Sequence, residues 1–122
     1  MAKPVALSED VIILVDKLNA AIRVLKDTLQ SPRYSANDAR IKESLLNQYK
    51  NILLPFRRLL NRPETPNLYR LLHRILSIME ECFKEDEKGN EYIFLTFEAR
   101  DSIIELCEGI LTIRSYTGKA AA

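Results

Sequence analysis

Residues 53–66 have the sequence LLPFRRLLNRPETP, and this stretch decides how the middle of the chain folds. Pro55 stands inside an apolar run that keeps helical spacing on both sides. We therefore expect one helix that kinks at the proline, with a break at Leu54 as the alternative. The prolines of NRPETP then end that helix. Thr65 followed by Pro66 has the pattern of an N-cap and a first helical position, which predicts that the next helix begins there.

Elsewhere, apolar residues that recur at steps of three and four predict further amphipathic helices. Ser8 and Ser35 are the expected N-caps of the first two. The second helix is expected to bury a stripe formed by Ile41, Leu45, Tyr49, Ile52, Phe56 and Leu59. The predicted helices span about 8–30, 35–61, 66–87 and 95–115, and residues 116–122 form a frayed tail. The predicted fold class is all-α. We expect an antiparallel four-helix bundle that forms one domain over residues 1–122, with a proline-kinked second helix.

One segment has a conflicting signal. The residues YIFLTF (92–97) favour a strand by propensity, but we find no second strand-like run to pair with them. An isolated strand has unpaired backbone groups, so a helix is expected for most of this segment. The charged residues KEDEKGNE before it are expected to end the third helix and form a turn.

Composition limits the classes of function. The chain has 122 residues, of which 47% are hydrophobic, and a formal net charge of +1, so no overall field favours nucleic acid or membranes. Cys82 and Cys107 both lie among apolar residues, where reduced thiols are expected. The longest apolar run near the N-terminus, VIILV, is too short for a signal sequence or a membrane span. These features predict a cytoplasmic protein without membrane partners.

The fourth predicted helix is apolar over more of its surface than one-sided packing requires. Its polar residues lie on a single line, and the first helix has a milder excess of the same kind. Either the fourth helix is central, or helices one and four contact a second chain in a homodimer. The candidates for such an interface are Ile13, Val24, Ile103 and Ile110.

Charge is divided along the chain. Residues 33–74 contain nine basic and three acidic residues, a net charge of +6, and residues 80–108 contain ten acidic and three basic residues, a net charge of −7. In the second helix, cations are expected to surround an exposed leucine. Such a patch suits an acidic partner, a phosphate or nucleic acid, although a merely solvated surface is the alternative. Nucleic acid has less support because Tyr69 is the one aromatic residue interleaved with the cations. The predicted patch consists of Lys50, Leu54, Arg57, Arg58, Arg62, Arg70 and Arg74.

The sequence contains no catalytic motif, and its one histidine, His73, has no assignable nucleophile. Acidic residues in EECFKED and FEARD could converge on a hard cation across two helices, and Glu81, Glu85, Glu98 and Asp101 are the candidate ligands. This arrangement is distantly similar to the all-α nucleotide pyrophosphohydrolases of the MazG type, which implies a magnesium-dependent activity. Lys84 stands where that family has a third acid, and a cation there opposes metal binding.

The sequence therefore favours a non-enzymatic helical interaction module without a cofactor. It is expected to self-associate and to present a basic surface to an acidic protein partner. A nucleic-acid-binding accessory protein is the alternative, followed by the pyrophosphohydrolase.

Overall fold

A computed structural model describes residues 9–113. The fold is mostly helical, as predicted, with one small antiparallel sheet. Among the described residues, no helix has the length and hydropathy needed to cross a membrane. The elements in chain order are α1 (Glu9–Leu29), α2 (Ala39–Asn47), a π-helical segment (Gln48–Leu53), α3 (Leu54–Leu59), α4 (Pro66–Glu81), β1 (Phe83–Glu85), β2 (Glu91–Ile93) and α5 (Phe97–Leu111).

Helix α1 is a regular helix with one buried stripe. Acidic residues in its first turn and Lys26 in its last turn match the helix dipole. Apolar spacing predicts a buried stripe of Leu14, Leu18, Ile22, Leu25 and Leu29, of which all are buried except Leu14, which is half-buried. After the helix, the hydroxyl of Tyr34 donates a buried hydrogen bond of 2.7 Å to the carbonyl of Leu95 and so fastens this loop to the segment before α5. The buried residues of α1 are Val11, Val15, Leu18, Ile22, Leu25 and Leu29.

The second predicted helix begins at Ala39, four residues later than expected. Asp38 is its N-cap, and its carboxylate accepts hydrogen bonds from the backbone N–H groups of Arg40 (2.8 Å) and Ile41 (3.3 Å). The hydroxyl of Ser35 instead accepts from the N–H of Asn37 in the preceding turn. A carboxylate at an N-cap also interacts with the helix dipole, which explains why Asp38 is the cap and the prediction at Ser35 was wrong.

The helix continues through Pro55 without a break, and a π-helical segment ends at Leu53, two residues before the proline. A proline ring inside a regular α-helix clashes with the carbonyl four residues earlier, here that of Asn51, and it has no N–H to donate. The wider π turns lie where that clash would occur, and the N–H of Leu54 bonds to the carbonyl of Tyr49, five residues back.

The π segment changes which residues are buried after it. The predicted stripe placed Ile52 and Leu59 in the core, but they are 37% and 52% exposed. Their neighbours Leu53 and Leu60 are fully buried instead. A π turn takes up one more residue than an α turn, so every later position rotates by about 100° relative to a regular helix. The predicted stripe is therefore correct as far as Tyr49, and of its later members only Phe56 still packs, half-buried, against the core.

Helix α4 ends at Glu81, six residues before the predicted end. The chain then forms a hairpin, in which Phe83 pairs with Ile93 and Glu85 pairs with Glu91. The turn needs Gly89, whose φ is +82°, and the carboxylate of Asp86 accepts hydrogen bonds from the backbone of the turn. The prediction of a helix here was wrong because the partner strand, FKE, is too short and too charged to stand out in the sequence.

Helix α5 begins at Phe97, with the hydroxyl of Thr96 accepting from the N–H of Ala99 at its N-cap. It packs against both α1 and α4, so two neighbours account for its wide apolar surface. Ile103 and Ile110 are buried within the chain, so they are corrected from interface candidates to core residues. The predicted start at residue 8, the end at 115 and the tail 116–122 lie outside the described residues.

Candidate functional site

An open groove beside α3 brings basic and apolar side chains together. Its volume is about 690 Å³. It is lined by three cations and by apolar side chains from two helices, and no carboxylate lines it in the part of the chain that the structure describes. We call it the basic groove, and its residues are Lys50, Leu54, Pro55, Arg57, Arg58, Leu59, Asn61 and Tyr69.

The π segment and Pro55 determine what the groove contains. Because the phase shift turns Leu60 into the core, Leu59 points outward and is 52% exposed. Leu54 is half-buried, rather than exposed as predicted, and packs against the core. On the α4 side, the ring of Tyr69 stacks on His73 with 5.9 Å between ring centroids and 17° between ring planes. The groove therefore combines apolar contact area with positive charge.

Two of the three cations are held by acidic residues outside the groove. Lys50 pairs with Glu91 of β2 at 3.1 Å, and Arg57 pairs with Glu80 of α4 at 3.3 Å. These pairs join the basic middle of the chain to its acidic end, and they orient both cations beside the groove. They also offset part of the positive charge that the sequence alone suggests. Such exposed pairs contribute little stability, so a ligand carboxylate can compete for the cations.

Glu80 also accepts a hydrogen bond from the hydroxyl of Tyr49, in the π segment. Burial, followed by this hydrogen bond, raises the pKa of Tyr49 to about 12. The ring of Tyr49 packs edge-on against Phe83 with 5.0 Å between centroids. These contacts fix the π segment to the end of α4 and to β1, so the wall of the groove is anchored on two elements.

Arg58 differs from the other two cations. It is exposed, and it forms no ion pair with any residue of the range 9–113. Its five N–H donors are therefore available to a carboxylate or phosphate without breaking an existing pair. This makes Arg58 the strongest anion-binding group of the basic groove.

Four of the seven predicted patch residues line the groove, namely Lys50, Leu54, Arg57 and Arg58. The other three do not. Arg62 pairs with Glu64 at 2.9 Å in the connection before α4, and Arg70 contacts Asn67 at 3.4 Å. Arg74 is exposed on α4. The predicted patch thus divides into a groove and separate surface cations.

Three apolar groove residues were absent from the predicted patch, namely Pro55, Leu59 and Tyr69. Leu59 was assigned to the core because the helix was assumed to be regular throughout. The proline was the available signal, since a proline inside an otherwise continuous stripe requires a local change in helical geometry. Tyr69 could be placed only by knowing how α3 and α4 pack.

The alternative carboxylate site is not formed. Glu81 ends α4, Glu85 lies on β1, and Glu98 and Asp101 lie on α5. Among residues 9–113, no three histidine, cysteine or acidic side chains are grouped so that they could hold a metal ion. The described residues thus show no convergence of three such side chains, which the magnesium-dependent interpretation assumed.

Both cysteines are free thiols, with Cys82 half-buried and Cys107 buried. Burial raises the pKa of both, that of Cys107 to about 12. A thiol with a raised pKa has little thiolate at neutral pH, so neither cysteine is an activated nucleophile.

Comparison with protein-family models, curated proteins and solved structures gives no match for this chain. The function is therefore argued from the groove itself.

Proposed function

We propose that this chain is a non-enzymatic binding module whose basic groove holds an acidic segment of a partner protein. The observation that carries the proposal is the composition of the groove: three cations and four apolar side chains, with no carboxylate among the described lining residues. Apolar contacts supply affinity, and the cations select an acidic sequence.

The size of the groove fits a peptide segment better than a folded surface. Its volume of about 690 Å³ accommodates a few side chains, and it is open rather than enclosed. Leu59 and Tyr69 offer contact area to one or two hydrophobic anchors. Arg58 and Lys50 can then bind carboxylates beside those anchors. An acidic helix or strand that carries a leucine or aromatic anchor is the ligand that this chemistry fits.

The test uses a fluorescent peptide of about 15 residues, with leucines spaced i, i+3 and i+7 and glutamates at most other positions. Fluorescence anisotropy measures its binding to the full chain. Two further peptides replace the glutamates by glutamine or the leucines by alanine. We expect both replacements to weaken binding at least about tenfold, because each removes one of the two kinds of contact.

The chain offers a matched control for charge. Arg58→Ala removes a groove cation, whereas Arg74→Ala removes an exposed cation outside the groove that has no ion pair among the described residues. We expect Arg58→Ala to weaken binding about fivefold or more and Arg74→Ala to have little effect. Equal effects would show attraction by net charge and would contradict a groove site.

Nucleic acid is the competing ligand. A short RNA or DNA that binds more tightly than the peptide, with an affinity that is insensitive to Leu59→Ala, would replace the protein-partner proposal. The protein-partner proposal is supported if the peptide binds the Leu59→Ala variant more weakly than the unaltered chain and if its affinity declines only gradually with salt.

A further inference from the structure

The single histidine of the chain lies beside the basic groove. His73 is exposed on α4, and its ring is stacked on the ring of Tyr69, which lines the groove. The two ring centroids are 5.9 Å apart, and the ring planes are inclined by 17°. Histidine is the one side chain whose ordinary titration changes its charge between pH 5 and 8, so this position can add a positive charge next to the groove.

The face of α4 that carries His73 is turned toward α3. At 100° per residue, Tyr69, His73 and Glu80 lie within about 40° of one another around the helix. Tyr69 lines the groove beside α3, and Glu80 pairs with Arg57 of α3 at 3.3 Å. His73 lies between these two contacts along α4, so its ring is next to the groove rather than on a remote surface.

The charged residues of the elements around His73 are mostly basic. Before Glu80, α4 has no acidic residue, and the π segment and α3 have none. The neighbouring cations are Arg70 and Arg74 on α4, Arg57 and Arg58 on α3, and Lys50 in the π segment. His73 therefore has cations, and no carboxylate, within two turns on its own helix and on the elements that form the groove.

The acids that approach from other elements are already paired or lie on another side of α4. Glu64 before α4, Glu80 at its end and Glu91 of β2 are held by Arg62, Arg57 and Lys50. Helix α5 packs on a different side, where its Gly109 lies against Leu71, about 160° around α4 from His73. A carboxylate that pairs with a protonated His73 therefore comes from a ligand in the groove.

From this arrangement we propose that His73 makes binding in the basic groove depend on pH. The protonated imidazole acts as a fourth cation of the site, and an acidic segment binds more tightly as the pH falls through the range in which His73 becomes charged. Binding and protonation favour each other, because the carboxylates of the segment stabilise the positive ring. This regulation rests on the proposed function, because it concerns the same ligand at the same groove.

The expected change in affinity is moderate. His73 is exposed, and a ligand carboxylate beside Tyr69 lies on the order of 7 Å from its ring, so water screens their attraction. At that separation one added charge corresponds to about a threefold change in affinity. Low ionic strength keeps the effect measurable, because salt screens exposed charges.

Fluorescence anisotropy of the acidic peptide at low ionic strength tests the proposal, measured from about pH 8 to about pH 5.5 with a dye that does not titrate in this range. Glutamate with its ordinary pKa of about 4.3 stays mostly ionised throughout, so the peptide keeps its charge. We expect the full chain to bind at least about threefold more tightly at the lower pH than at the higher pH. The peptide whose glutamates are replaced by glutamine should show no such gain.

Two variants fix the charge of position 73. His73→Gln stays neutral and should bind at every pH as the unaltered chain does at the higher pH, whereas His73→Arg stays positive and should bind tightly at every pH. The α-amino group of the chain titrates in the same range, and any effect it has remains in both variants. The matched control, His73→Gln with Arg74→His, moves the histidine to about 140° from Tyr69 around α4 and should show little pH dependence.

The outcomes separate this proposal from the proposed function. Equal affinity at both ends of the pH range, or an equal gain in His73→Gln, would overturn the role of His73 and leave the groove as the binding site. A peptide that binds at neither pH would contradict both proposals. Position 73 is exposed, so circular dichroism should show an intact fold in every variant.

Discussion

The first and second helices of this chain have similar apolar patterns, but their sequences predict their buried faces with different success. In α1, the turns are regular from Glu9 to Leu29, and a stripe at three and four residue steps is buried along the whole helix. In the second helix, the predicted stripe is correct up to Tyr49. Beyond it the fully buried leucines are Leu53 and Leu60, one residue after the predicted positions, and Phe56 is the one later predicted residue that packs against the core. The difference arises within six residues of π helix.

Apolar periodicity therefore identifies a buried face only while the number of residues per helical turn remains constant. One additional residue in a turn rotates everything after it by about 100°. In this chain that rotation also shapes the surface, because it moves Leu59 into the basic groove and Leu60 into the core. The same local change that made the core prediction wrong thus supplies Leu59, one of the four apolar side chains of the proposed binding site.

Single-residue deletions should give the largest difference in stability between a change in α1 and a change in the second helix. Deletion of Ala20 in α1 rotates one half of the helix, so that three buried residues leave the core whichever half stays in place. At about 2 kcal/mol for each, the loss is comparable to the whole stability of a small domain, and we expect the variant to be unfolded. Deletion of Ile52 combined with Pro55→Ala should instead convert the π segment into regular α-helix and keep Leu53 and Leu60 buried.

Circular dichroism and urea unfolding of the two deletion variants measure this contrast. We expect the Ile52 deletion with Pro55→Ala to unfold cooperatively, within about 2 kcal/mol of the unaltered chain. The single variant Pro55→Ala is the control for the proline. If both deletions unfold the protein, the π segment does more than accommodate one additional residue.

Two adjacent leucines provide a finer test of the phase shift. Leu60 is fully buried and Leu59 is 52% exposed. Leu60→Ala should lower the free energy of unfolding by about 3 kcal/mol, and Leu59→Ala by less than about 1 kcal/mol, because only the first leaves a cavity. Urea unfolding of both variants gives the comparison directly. The opposite order would mean that the helix keeps its regular phase past Pro55.

Much of the helical architecture could be predicted from the sequence, for physical reasons. A proline at a helix start acts locally, so Pro66 correctly predicts where α4 begins. Thr65 occupies the N-cap position as predicted, but its hydroxyl donates to the carbonyl of Leu60 and does not cap the helix. The hairpin could not be recognised in the same way. Its strands are three residues long, and they are held by pairing with each other and by packing, which no short window of sequence reveals.

The candidate site was predictable in part. Lys50, Arg57 and Arg58 were found because cations on one side of a helix can be identified from spacing. Their pairing with Glu91 and Glu80 could not be found, because both acids approach from elements distant in sequence. The contribution of Tyr69 likewise depends on how α4 packs against α3.

The smallest expected effect concerns the hydrogen bond that the hydroxyl of Tyr49, in the π segment, donates to Glu80 of α4. Tyr49→Phe removes this bond and should lower the free energy of unfolding by about 1 kcal/mol near neutral pH. The pKa of Tyr49 is raised to about 12 in the folded chain, above the ordinary value of 10.0. Its protonated form is therefore favoured by folding, so its contribution is fully present below pH 10 and is lost as the pH rises toward 12.

Urea unfolding of the unaltered chain and of Tyr49→Phe, measured from neutral to alkaline pH, tests the direction of this pH dependence. The difference between the two proteins should be largest at neutral pH and should shrink above pH 10, because the variant lacks the titrating hydroxyl. Tyr92→Phe is the matched control, since the hydroxyl of Tyr92 makes no hydrogen bond within residues 9–113 and its loss should change stability little. A difference that grows with pH would mean that folding favours the deprotonated hydroxyl, and would contradict donation from Tyr49 to Glu80.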